Sequence, residues 1–145
     1  MKTMFVRSVA VSAGIAALLA LAPAAFAATE TYVAELKSSA EVPPNDSKGA
    51  GTLTATYDTT TKKLSYSVSY SGLSGPATAA HFHGPAAAGA NAGVAVPVKD
   101  VASPIKAEAT LTDAQAADLQ GGKWYFNIHT EKNKGGEIRG QLTKK

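Results

Sequence analysis

Three histidines, His81, His83 and His129, are the residues of this sequence best placed to do chemistry. His81 and His83 flank Phe82. On an extended strand residues i and i+2 share a face, so both imidazoles point one way and Phe82 the other. The run from Trp124 to Thr130 alternates in the same manner: Trp124, Phe126 and Ile128 share one face, Tyr125, Asn127 and His129 the other. If Phe82, Phe126 and Ile128 face a core, all three histidines lie on the opposite, outer surface, and pairing of the two strands makes them converge. Three neutral imidazoles suit Zn(II), Cu(II) or Ni(II). Water, Asn127 or a carboxylate (Glu41, Glu131 or Glu137) would complete the set. The plainer alternative is that the imidazoles are solvated, or hydrogen-bonded for structural reasons.

The elements that must position these side chains read as strands. Thr31–Leu36 is a short extended segment, and Glu41-Val42-Pro43-Pro44-Asn45-Asp46 a loop, because two prolines remove backbone donors. Gly51–Tyr57 and Leu64–Tyr70 alternate apolar with Thr or Ser across a polar turn and predict a hairpin. Thr78–His83, Val94–Val98, Lys106–Leu111, Trp124–Thr130 and Glu137–Leu142 complete seven or eight strands, with Gly84–Gly93 as a loop. One helix is expected, capped by Thr112 with Gln115 three residues on, apolar at Ala116 and Leu119, and ended by Gly121-Gly122. The pattern predicts an all-β protein with one short helix, a Greek-key β-sandwich of immunoglobulin-like or superoxide-dismutase-like type.

The N-terminus carries Lys2 and Arg7, then an apolar run from Val9 to Leu21, Pro23, and Ala25-Phe26-Ala27. That run is shorter than the roughly 20 residues of a membrane span and precedes a small-x-small site. Residues 1–27 are therefore expected to be a signal peptide cleaved after Ala27, and 28–145 one domain, periplasmic or secreted. No later segment is long and apolar enough to span a bilayer. The 145-residue chain holds 14 Lys+Arg against 11 Asp+Glu, and loss of Lys2 and Arg7 leaves 12 against 11. No basic stripe with interleaved aromatics remains, so nucleic acid is not an expected partner. The chain has no cysteine, and both methionines, Met1 and Met4, lie in the expected signal peptide. The mature domain thus has no sulfur ligand and no thiol nucleophile.

Other catalytic signatures are missing. There is no G-x-S-x-G and no Gly-rich phosphate loop between a strand and a helix. Paired carboxylates leave no sign in sequence, and the eleven acids read as solvated surface charge. Near the C-terminus, Glu137, Arg139 and Gln141 are expected to share a strand face, with Arg139 paired to a carboxylate across the sheet.

Four runs together resemble a known family: Glu41-Val42-Pro43-Pro44, Ala80-His81-Phe82-His83-Gly84-Pro85-Ala86, Tyr125-Phe126-Asn127-Ile128-His129-Thr130 and Gly135-Gly136-Glu137-Ile138-Arg139-Gly140-Gln141-Leu142. Their order and spacing resemble the chordin-type (CHRD) domain over about residues 30 to 143. The resemblance implies a β-sandwich module of secreted proteins and says little about activity. Lys134 stands where a proline is common before the Gly-Gly pair. Ala80-His81-Phe82-His83-Gly84 is also faintly similar to the first copper ligands of copper-zinc superoxide dismutase, whose two-metal site needs more imidazoles than this chain has.

Three readings of function follow. The first is an exported, non-enzymatic metal-binding protein, holding copper or zinc through His81, His83 and His129. The second is an extracellular interaction or adhesion module without metal, contacting a protein through loops 84–93 and 131–136. The third is a mononuclear copper enzyme acting on a small oxidant, for which a metal with an open position is necessary but not sufficient.

Overall fold

The computed structural model describes residues 28–145. The expected signal peptide, 1–27, lies outside the described residues. Nine strands form one antiparallel sheet: β1 Thr29–Lys37, β2 Ala50–Asp58, β3 Lys63–Ser71, β4 Ala77–His83, β5 Val94–Pro97, β6 Ile105–Thr110, β7 Tyr125–Thr130, β8 Ile138–Gln141 and β9 Thr143–Lys144. The helix α1 is Asp113–Gln120. The strand order is β5-β4-β7-β8-β1-β2-β3-β6, with β9 added beside β1.

Alternation explains the packing. On β2, Leu53, Ala55 and Tyr57 are buried while Thr52, Thr54 and Thr56 are exposed. On β3 the buried set is Leu64, Tyr66 and Val68. These strands form the expected hairpin, with Thr54 opposite Ser67. The sheet folds over on itself, so the β5-β4-β7-β8 layer packs against the β1-β2-β3-β6 layer. The Tyr66 ring on β3 meets Phe82 on β4 edge-on, with centroids 4.8 Å apart. Phe82 also meets Phe126 at 4.8 Å and Trp124 at 5.6 Å. Burying one such ring contributes about 1.5–3 kcal/mol.

The layers are joined where β8 bridges β1 at Lys37 and Arg139. That approach depends on Gly140, since a Cβ there would collide with the Glu35 carbonyl oxygen. The opposite seam, between β5 and β6, is open, so the sheet is nearly but not fully closed. After β5 the chain crosses to β6 in the other layer, then returns through α1 to β7 beside β4. The expected capping box is present: Gln115 N–H donates to the Thr112 hydroxyl, and the Thr112 N–H to the Gln115 side chain. Gln115 Nε2 also donates to the Ala95 carbonyl, tying α1 to the free edge of β5. Ala116 and Leu119 are buried, as their spacing predicts.

Thus the all-β class with one short helix holds. Strand ends move by a residue or so, and β9 is an element the sequence pattern does not announce. None of the helices among the described residues is long and apolar enough to cross a membrane.

Candidate metal centre

The site is built on adjacent strands β4 and β7. Their register sets His81 opposite Asn127, His83 opposite Tyr125 and Ala79 opposite His129. Ala80, Phe82, Phe126 and Ile128 are fully buried on the inner face. The alternation therefore turns His81, His83 and His129 onto the same outer side, as the sequence reading expects. The ring centroids of His81 and His129 are 4.9 Å apart, those of His81 and His83 5.5 Å, and those of His83 and His129 6.4 Å. One ring nitrogen from each histidine lies within 4.8 Å of the others.

The outer face is not the open surface that alternation alone implies. His83 is only 9% exposed, and Tyr125, Asn127 and Arg139 are buried with it. Loop 84–93 lies over them and is pinned by their polar atoms. His83 Nδ1 is 2.9 Å from the Ala92 carbonyl oxygen. The Tyr125 hydroxyl accepts from the Ala92 N–H at 3.1 Å. His81 and His129 are half-buried at the rim.

Backbone carbonyls settle much of the proton placement. A carbonyl oxygen only accepts, so His83 Nδ1 carries a hydrogen. His129 Nδ1 faces the Lys134 carbonyl at 2.8 Å and carries one for the same reason. In their neutral forms both rings then present a bare Nε2. His129 Nε2 is 3.1 Å from His81 Nδ1, and His83 Nε2 is 3.0 Å from Asn127 Oδ1. Burial, with the neighbouring imidazoles, pushes the His81 pKa down. His83 is also shifted down, chiefly by burial, against the opposing hydrogen bonds of Ala92 and Asn127. Both directions favour the neutral, ligand-competent ring.

Behind the histidines sits a stack that the sequence reading missed. The Tyr125 ring lies parallel to His83 at 4.7 Å, and the Arg139 guanidinium carbon is 3.4 Å from the Tyr125 centroid. Tyr125 shares its strand face with Asn127 and His129, so its side was legible. Its partner Arg139 was not, because the β7–β8 register places Arg139 opposite Asn127.

Arg139 corrects an expectation. No carboxylate pairs with it across the sheet. Its guanidinium donates instead to Asn91 Oδ1 at 2.8 Å and to the Ala90 carbonyl, both on loop 84–93.

The candidate carboxylates for the fourth position separate in space. Glu131 pairs with Lys134 on the exposed surface. Glu137 does not share the Arg139 face: β8 starts only at Ile138, and Gly136, at φ 128°, turns the chain just before it. Its carboxylate enters a cage of the Ser47, Ser74 and Thr130 hydroxyls and the Ser74 N–H. Glu41, 4% exposed, lies beside Asn127 rather than among the imidazoles. Burial raises its pKa, against the opposing pull of Asn127 and Arg139. Of the fourth donors considered from sequence, Asn127 is the side chain that reaches the cluster.

The fold and this site together define a class: an all-β module with a three-histidine polar centre, roofed by a loop, on one layer of a folded antiparallel sheet. Within that class the chain belongs to the CHRD domain family, matching it over residues 32–142. No curated protein and no solved structure matches the chain.

Proposed function

We propose that this chain is an exported, non-enzymatic CHRD-domain protein that binds a copper or zinc ion through His81, His83 and His129. The observation that carries the reading is the convergence of three ring nitrogens while two of the rings, His83 and His129, spend Nδ1–H on backbone carbonyls. A hydrogen-bonded second nitrogen is what orients a metal-binding imidazole and raises its basicity. With no sulfur in 28–145, nitrogen and oxygen donors alone choose the ion. Export rests on the basic start, short apolar run and Ala25-Phe26-Ala27 site, together with the family match.

The test is to recover the protein from the cell envelope or medium, read its first residue, and titrate it with Cu(II) and Zn(II). A chain beginning at Ala28 and binding one ion is expected. At an ion concentration about 100 times Kd the fold gains about 2.7 kcal/mol, which raises Tm on the order of 10 °C. His81→Ala and His129→Ala should abolish both the binding and the rise. Equal affinity in parent and variants defeats the metal reading, and a chain that retains residues 1–27 defeats the export reading.

A docking role has one observation of its own. Val94, at the end of loop 84–93, is 53% exposed, the large apolar side chain left open among the described residues. Capture of an extracellular protein that Val94→Lys abolishes would favour that reading. No loss of capture on that substitution would remove its support.

A further inference from the structure

The amide of Asn127 is held between two acceptors. On one side its Oδ1 lies 3.0 Å from His83 Nε2. The Ala92 carbonyl obliges His83 to carry its hydrogen on Nδ1, so neutral His83 offers a lone pair at Nε2. Two lone pairs then face each other across 3.0 Å. On the other side lies Glu41, 96% buried by its 4% exposure, whose Oε1 has no hydrogen-bond partner. A Cβ on Gly136 would fall against both the Glu41 carboxyl and Asn127 Nδ2, so the bare glycine makes the space in which they sit.

Turning the amide over gives His83 a donor but sets Oδ1 against the buried Glu41 carboxyl, an arrangement satisfied only when Glu41 is protonated. An uncompensated buried acceptor costs about 1–3 kcal/mol whichever end bears it. A cation beside His83 Nε2 and Asn127 Oδ1 resolves both ends at once: it takes the two lone pairs, and leaves Nδ2 aimed at Glu41.

We infer that Asn127 supplies a fourth donor through Oδ1, oriented by Glu41 as a positioning residue, and that the site takes a divalent ion, Zn(II) or Cu(II), in preference to Cu(I). This rests on the metal reading above and adds to it the fourth donor and the valence. Two spacings already suit an ion: donors about 2.0–2.1 Å from a tetrahedral ion lie roughly 3.3 Å from one another, near the 3.0 Å and 3.1 Å of the two close pairs, while the three ring nitrogens, which spread over up to 4.8 Å, must draw together on it. An amide oxygen is a hard donor, which suits a divalent ion and not the soft cuprous ion. A set closed by protein donors holds its ion, whereas a catalytic site keeps a position open.

The experiment uses the mature protein, loaded in turn with Zn(II), Co(II), Cu(II) and Cu(I). Asn127→Ala should weaken Zn(II) by about 10–100-fold and change the Co(II) ligand-field spectrum, with Cu(I) affinity unmoved. Asn127→Asp, which keeps an oxygen in place, should restore both. Glu41→Gln should weaken Zn(II) less and leave the Co(II) spectrum unchanged. If Asn127→Ala binds Zn(II) like the parent with the parent's Co(II) spectrum, while His129→Ala does not bind, the inference is overturned and the three-histidine reading stands. If the parent binds no divalent ion, the underlying reading fails first. Pulsed EPR of the Cu(II)-loaded parent in D2O decides the matter even if a variant does not fold. No equatorial deuteron from bound water is expected, and a coordinated water in the Asn127 position would overturn the inference.

Discussion

Glu137 shows how far one side chain departs from its expected part. Proposed from sequence as a possible metal ligand, it is fully buried and serves as an anchor instead. Ser47 and Ser74 donate hydroxyls to it, Thr130 donates another, and the Ser74 N–H donates at 2.7 Å. Burial alone would raise its pKa; these donors outweigh burial and hold it down to about 2 from the usual 4.5. A carboxyl whose folded pKa lies below its unfolded value contributes stability that is full above the unfolded pKa and lost as pH falls through the folded one. The contribution, roughly 3 kcal/mol by linkage, is therefore expected to disappear between about pH 5 and pH 2. Glu137→Gln should cost about 3 kcal/mol at pH 7 and flatten the pH dependence of urea unfolding in that window. A parent and variant with parallel acid profiles would show that the cage does not hold a carboxylate.

Among the elements, β8 is the critical joint. It is four residues long, yet it links the two layers and carries Arg139 under loop 84–93. Its contact with β1 needs a residue without a side chain at position 140. Gly140→Ala forces a methyl against the Glu35 carbonyl and should cost about 1–3 kcal/mol, read as a lowered urea midpoint with unchanged slope. Because β8 also positions Arg139, the same variant should loosen loop 84–93, read as faster amide exchange there. Unchanged stability would mean that β1 and β8 can part without loss. Alternation predicted β4 and β7 well, including the inward turn of Phe82, Phe126 and Ile128, since period-two burial is a local property. It did not predict that loops would roof the outer face, because a loop of Gly, Ala, Pro and Asn carries no periodic sign of where it folds back.

Over the whole molecule, both layers share one core. Phe82 touches Tyr66 from the opposite layer and Trp124 and Phe126 from its own. No second core is present among the described residues, since one hydrophobic cluster runs from Tyr32 to Leu142. Residues 28–145 should therefore unfold in a single cooperative step. The fully buried Trp124 supplies the probe: its fluorescence and the far-UV circular dichroism should change together in urea. Separated transitions would show that the β5-β4-β7-β8 layer melts on its own.

Strand alternation, the capping box of α1, the absence of sulfur from residues 28–145 and the shared face of His81 and His83 are all local in the chain, and the amino-acid order was enough to determine them; that His129 joins them depended on the pairing of β4 with β7. The amino-acid order also determined the family, since four short runs in fixed order carry it. The tertiary structure alone decided which nitrogen of His83 and His129 is free, because the carbonyls of Ala92 and Lys134 that occupy the other come from loops folded over the sheet. It also decided that Glu41 stands behind Asn127, 86 positions away, while Glu137 is drawn into hydroxyls from three separate segments. Contacts of that kind depend on strand register and on the path of loops, and neither leaves a periodic trace in the order of residues.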